Sequence, residues 1–153
     1  VSQIRAEARR MKRLHGIKLI IVDYLQLVSP DSRGDKRYEE VGNISGGLKN
    51  MAKELDVPVV ALAQLNRETE KTNRAPRASD LRESGKIEAD ADAIILLWEP
   101  DPTERPQFDW AMVEAVIAKN RHGSTGAIKF LFKKDITLFE TVSPIADEDI
   151  PVK

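Results

Sequence analysis

The sequence predicts an α/β layer architecture, with a mostly parallel sheet flanked by helices and an antiparallel hairpin at its C-terminal end. Three observations carry that expectation. Short apolar runs rich in β-branched residues, "LIIV" at 19–22, "VPVVALA" at 57–63 and "AIILLW" at 93–98, read as strands buried on both faces. A helical stripe lies between the first two, the arrangement of a parallel crossover. After the third run, "MVEAVIAKNR" and "AIKFLFKKDITLFE" are separated by compact turn signals, which suits an antiparallel finish.

The elements follow in order. "SQIRAEARRMKRL" is rich in helix formers, and His15-Gly16 supplies a basic last turn and a glycine stop. A strand over 18–23 comes next, then the polar, turn-rich loop "SPDSRGDKR". Over 38–55, Val41, Ile44, Leu48, Met51, Ala52 and Leu55 fall on one helical stripe. Gly42, Gly46 and Gly47 each weaken that helix by about 1 kcal/mol, so close packing or a mobile segment is expected there. A strand over 57–65 leads into the arginine-bearing loop "NRETEKTNRAPRASD". A short helical turn is expected around 86–89, a third strand over 93–98, and an irregular excursion through the three prolines of "EPDPTERPQFD". A fourth strand then runs to a turn at 121–126, and the closing hairpin turns near Lys134-Asp135. Residues 1–142 read as one domain or part of one, and 143–153 as an acidic, frayed tail.

Composition narrows the function classes. A chain of 153 residues with 41% hydrophobic content can bury one ordinary core. It has no cysteine, which removes disulfides, thiolate metal sites and a cysteine nucleophile, and suits a cytoplasmic setting. No run has the length of a membrane span, so no membrane partner is expected. A net charge of −1 gives no global field for nucleic acid, so any such contact must come from local loops. The opening Val1, set directly in a helical pattern, reads as the start of a piece of a longer polypeptide.

Two consecutive strands end in polar residues, Asp23 after "LIIV" and Gln64 after "VVALA". If the strands are neighbours, both residues sit at the carboxyl edge where open α/β sheets bind ligands. There an aspartate can hold Mg²⁺ through water, and a neutral glutamine can sense a terminal phosphate. Asp23 alone would serve equally well as a turn-forming or capping acid. The phosphate cradle that such a site needs, Gly-x-x-x-x-Gly-Lys-Ser/Thr, is absent, because Gly85-Lys86 is followed by Ile87 and "HGSTG" has no lysine.

Lys119 and Arg121, two apart at a strand end, form a cationic fork suited to phosphate oxygens. Taken singly they are equally two solvated charges beside a turn. In "SDLRESG", Arg82 suits a phosphate and Gly85 a close backbone approach, while Glu83 fits less obviously; an ordinary polar loop would look the same. Arg33, Arg37, Arg74 and Arg77 likewise read singly as surface residues.

The order and spacing of "LIIVDYLQL", "LKNMAKELDVPVVALAQLNRETE", "APRASDLRESGKIEADADAIILLW" and "VIAKNRHGSTGAIKFLF" resembles the C-terminal half of the RecA-like motor domain of bacterial replicative DNA helicases, the DnaB-like family. The resemblance covers nearly the whole chain. It implies a partial RecA-like P-loop NTPase core, and a hexameric ATP-driven motor that translocates on single-stranded DNA and unwinds duplex. It further implies ATP and Mg²⁺ as cofactors, with primase and a helicase loader as partners.

By the same resemblance, Asp23 is the Walker B acid that positions Mg²⁺ and Gln64 is the sensor. Lys119 and Arg121 match the arginine finger and its lysine companion, which reach the neighbouring subunit's site. Arg82, Glu83 and Gly85 match the loop that touches the DNA backbone, and the polar loops after Asp23 and Gln64 face the same channel. The phosphate-binding loop and catalytic glutamate would lie upstream of Val1, so the chain alone is expected to be inactive. His122 in place of an asparagine and the glycine-rich "ISGG" depart from the family pattern and suit a phage or divergent relative. Two other readings stay open: another RecA-like DNA-dependent ATPase, and a non-catalytic interaction fragment.

Overall fold

The computed structural model describes residues 1–30, 37–66, 69, 74–81, 84–100 and 110–142. Three helices, α1 (Ser2–His15), α2 (Arg37–Leu55) and α3 (Ser84–Asp90), accompany six strands: β1 (Ile20–Val22), β2 (Val59–Ala61), β3 (Ala93–Trp98), β4 (Trp110–Asn120), β5 (Gly126–Lys133) and β6 (Leu138–Thr141). The tail expected over 143–153, the loop 31–36 with Arg33, the side chain of Arg37, and Arg82 and Glu83 lie outside the described residues.

Helix α1 stops where a glycine can stop it. Gly16 adopts φ 61°, ψ 36°, and its N–H donates to the Lys12 carbonyl at 2.9 Å. The Lys12 ammonium donates in turn to the Leu55 carbonyl, tying α1 to the end of α2. Helix α2 is the spine of the core. Val41, Ile44 and Met51 are wholly buried and Leu48 and Leu55 nearly so, which places the expected stripe against the sheets. Each such side chain contributes roughly 1.5–3 kcal/mol of apolar burial. Two of the three glycines are closely packed: a Cβ on Gly42 would come within 2.3 Å of Lys86 Cδ, where α3 lies against α2, and one on Gly47 within 2.9 Å of Val1 Cγ1.

Strands β1 and β2 are parallel, with Ile20 opposite Val59 and Val22 opposite Ala61, and α2 is the crossover between them. The remaining strands form a separate antiparallel meander in the order β3-β4-β5-β6. The α/β architecture is therefore present, but its parallel part is two strands and its antiparallel part four. Strand β3, expected among the parallel strands, pairs antiparallel with β4. The expected β2 shortens from 57–65 to Val59–Ala61, and β4 lengthens to eleven residues.

Strands β1 and β3 are covered on one face, not two. Val22, Ile94 and Leu96 join the core with α2, while Ile21, Val60, Leu62, Ile95 and Leu97 are 45–63% exposed. Helices among the described residues pack only on the first of these faces. In the meander, Phe132 stacks on its cross-strand partner Phe139 at 4.4 Å, and Lys133 pairs with Glu140 at 2.9 Å, which fixes the register of the hairpin.

Candidate functional site

The parallel pair places its two polar strand-end residues at one edge. Backbone bonds from Leu62 N–H to Val22 C=O and from Leu25 N–H to Leu62 C=O, each 2.9 Å, carry the pairing just past the strands. Asp23 follows Val22 directly, and Gln64 lies three positions beyond Ala61. Both side chains are exposed, and Gln26 Nε2 donates to the Gln64 carbonyl at 3.4 Å. A cleft of about 350 Å³ opens beside Asp23, lined by Ile4, Val22, Tyr24, Leu27 and Val28 among others, with no lysine or arginine. The side chains of that lining supply no cation for a phosphate. Among the described residues no group of three His, Cys, Asp or Glu side chains converges as a metal cage. A single strand-end carboxylate fits a Mg²⁺ carried largely by phosphates and water, the usual way of holding this ion.

From Gln64 the chain runs straight to the next candidate segment. Leu65 bridges Leu81 in antiparallel fashion, and Asn66 N–H donates to the Asp80 carbonyl at 3.0 Å. The stretch before Leu81 is built around Asp80. Arg74 donates to both of its carboxylate oxygens at 2.8 and 2.9 Å, and the Arg77 N–H donates at 2.7 Å. Those donors, the Arg74 guanidinium first, hold Asp80 below its ordinary carboxylate value. Arg74, which the sequence left as a surface residue, is thus a structural clamp. Of the triad Arg82, Glu83 and Gly85, only Gly85 is described; it is exposed in the first turn of α3, with open space around it. Lys86, the nearest approach to a cradle lysine, points to Asn43 Oδ1 at 3.2 Å on α2.

The cationic fork lies on the other sheet. A register shift between Ile94 and Ile95 makes a β-bulge immediately before Lys119, and bulges commonly re-aim side chains beside sites. Lys119 Nζ donates to the Glu88 carbonyl, and Arg121 Nη2 donates to the Ala89 carbonyl at 3.3 Å, so both prongs reach the C-terminal end of α3. The intervening Asn120 turns away and closes the turn, with Nδ2 donating to the Ser124 carbonyl at 3.3 Å. A Cβ on Gly123 would lie 2.6 Å from Asn120 Nδ2, so a larger residue there would displace the Asn120 amide. Among the described residues, no hydrogen bond or ion pair joins the fork to Asp23 or Gln64.

Sequence reasoning passed over Asp92. Its carboxylate accepts from Lys49 of α2 and pairs with Arg121 Nη1 at 3.4 Å, while its backbone carbonyl accepts the Arg121 N–H at 2.8 Å. The Lys49 ammonium, and more weakly Arg121 and His122, hold Asp92 below its ordinary value. The one available signal was an aspartate directly ahead of an apolar strand in "ADADAIILLW".

Comparison with known proteins places these features in a family. Residues 1–141 match the DnaB-like helicase C terminal domain. The chain is 42% identical over 144 residues to the replicative DNA helicase DnaB of Leifsonia xyli, covering 94% of this chain and 32% of that protein. It is 41% identical over 150 residues to the DnaB of Geobacillus stearothermophilus, covering 97% and 33%. The chain therefore spans about a third of the length of these relatives. Among solved structures, a DnaB-like replicative helicase described with its interactions with primase superposes with a TM-score of 0.82 at 39% identity, covering 92% of this chain and 34% of that one. A solved ATPase domain superposes equally well over 50% of its own length.

Proposed function

Since the chain belongs to the DnaB-like helicase C-terminal domain family, we propose that it is part of the ATP-driven motor of a hexameric replicative DNA helicase. The observation that carries this reading is the separation of two half-sites. Asp23 and Gln64 share the carboxyl edge of the parallel pair, while Lys119 and Arg121 are held on a different sheet by α3. A fork that, among the described residues, no hydrogen bond or ion pair joins to Asp23 or Gln64 suits a site completed between subunits.

In this reading Asp23 holds Mg²⁺ through water beside the nucleotide phosphates. When bound, the ion neutralises charge on the transferring phosphoryl group. Gln64 orients toward the terminal phosphate, and its neighbour Leu65 is bridged to Leu81 at the head of the DNA-loop sequence, so phosphate state and loop position share one backbone. Arg82, Glu83 and Gly85 contact the single-stranded DNA backbone. Lys119 and Arg121 stabilise transition-state charge on ATP bound by the adjacent subunit, an effect worth roughly 10³ to 10⁵ in rate for such fingers. With no phosphate-binding loop in its sequence, the chain by itself turns over no ATP. Primase and a helicase loader are the partners this reading implies, and the cytoplasm its setting.

The test is single-stranded-DNA-stimulated ATP hydrolysis by the full-length, assembled protein, comparing wild type with Arg121→Ala. Turnover is expected to fall by about 10³-fold or more with nucleotide binding and ring assembly intact. Unchanged turnover would reduce the fork to a surface feature.

A further inference from the structure

Asp92 stands where three elements meet. It immediately precedes β3, its carboxylate accepts from Lys49 of α2 and forms an ion pair with Arg121 just after β4, and its backbone carbonyl accepts the Arg121 N–H. The fork is thus bound twice over. Side-chain donors go to the last carbonyls of α3, at Glu88 and Ala89, and the guanidinium is braced from the other side by the Asp92 carboxylate.

A guanidinium carries five N–H donors. Among the described contacts Arg121 donates from Nη2 and makes an ion pair through Nη1, which leaves further donors available on a side chain that is 49% exposed. A long arginine left to itself would sample many rotamers, and ordering it at the moment of reaction costs free energy. Holding it in advance leaves the exposed donors aimed in one direction. The helix that accepts the fork begins at Ser84, immediately after Arg82 and Glu83.

We propose that Asp92 is the positioning residue for Arg121: with the C-terminal carbonyls of α3, it presets the fork and ties it to the helix whose other end carries the DNA-contacting loop. This rests on the reading of Arg121 as a group acting on the neighbouring subunit's nucleotide. Asp92 touches no phosphate itself. Its effect falls on the alignment of the finger in the transition state and leaves ground-state nucleotide binding alone.

The experiment uses the full-length, assembled protein with saturating single-stranded DNA, and compares Asp92→Asn, Asp92→Glu, Arg121→Ala and the double variant Asp92→Asn/Arg121→Ala. Asp92→Asn keeps the shape and loses the charge. It is expected to lower kcat by about 10-fold to 100-fold while KM for ATP stays within about twofold, the pattern of a misaligned group that acts only in the transition state. Asp92→Glu restores most of the rate. In the Arg121→Ala background Asp92→Asn adds no further loss, because the two residues act as a unit.

Three results would overturn the inference. In one, Asp92→Asn retains full kcat while Arg121→Ala abolishes it, so that the finger needs no brace. In another, both Asp92 variants lower thermal stability and ring yield together, and the losses add to that of Arg121→Ala, marking Asp92 as structural only. In the third, Arg121→Ala itself leaves turnover intact; the finger reading then fails first, whatever Asp92→Asn does.

Discussion

Asp80 and Asp92 do opposite jobs with the same chemistry. Asp80 folds its own loop, taking two bonds from Arg74 and one from the Arg77 N–H, whereas Asp92 joins residues far apart in the chain. Each is held below its ordinary value of 3.8, as are Glu54 by Arg9 and Glu7 by Arg10 below theirs of 4.5. In all four the unfolded chain takes up a proton at a higher pH than the folded chain. Stability from these groups is therefore complete above the ordinary carboxylate range and is lost as pH falls through it toward the lowered folded values. Chemical denaturation repeated from about pH 6 down to about pH 3 is expected to show that decline, and Asp92→Asn should flatten it. Asp80→Asn, which breaks the charge-assisted pair while Arg74 stays partly solvated, is expected to cost about 1–2 kcal/mol in the same assay. The acid at a strand end was legible in the residues, as was the pairing of Lys119 with Arg121. The brace was not, because it depends on α2, α3, β3 and β4 meeting at one point, and local pattern carries no information about that meeting.

At the scale of the element, two glycines in α2 separate packing from propensity. A Cβ on Gly42 would strike the Lys86 stem at 2.3 Å, with Lys86 Cβ itself only 3.0 Å away, so the Lys86 side chain must swing aside and α3 must give slightly. On Gly46 the nearest atom is Asp90 Oδ2 at 3.7 Å, ordinary contact. Gly46→Ala is expected to raise stability by about 0.5–1 kcal/mol through the unfolded state and helix propensity. Gly42→Ala is expected to lower it, since overpacking costs about 1–3 kcal/mol against a propensity gain of at most about 1. Thermal melts of the two variants decide the matter, and equal shifts would refute the packing argument. Helix α1 was readable from its helix formers and glycine stop, and α2 from its apolar stripe. Strand partners were not readable, since the apolar run of β3 looks the same whether its neighbour runs parallel or antiparallel. Burial on both faces was inferred from apolarity alone, which reports what a strand can bury and not what lies against it.

The whole molecule leaves one face of its strands bare. Ile21 of the parallel pair is 63% exposed, and Ile95 and Leu97 of β3 in the other sheet are 62% and 56% exposed, while their strand neighbours Val22, Ile94 and Leu96 join the core. Exposed large aliphatic side chains drive association unless something covers them. The 153-residue chain by itself is expected to self-associate in size-exclusion chromatography and to bind a hydrophobic dye. Ile95→Lys together with Leu97→Glu should reduce both, and a monodisperse, dye-silent wild type would contradict the expectation. The two sheets also differ in how far the chain must travel to build them. β4 and β5 pair across a tight turn from Ile117 to Gly126, and β5 and β6 close just as locally, whereas Ile20 cannot meet Val59 until all of α2 has been brought round. Loop closure entropy favours the meander as the earlier event and the parallel pair as the slower one. In pulse-labelled refolding, amide protons of Val113 and Phe130 are expected to gain protection before those of Ile21 and Val60. The half of the chain that holds the fork would then be in place while the half that holds Asp23 is still searching for its partner strand.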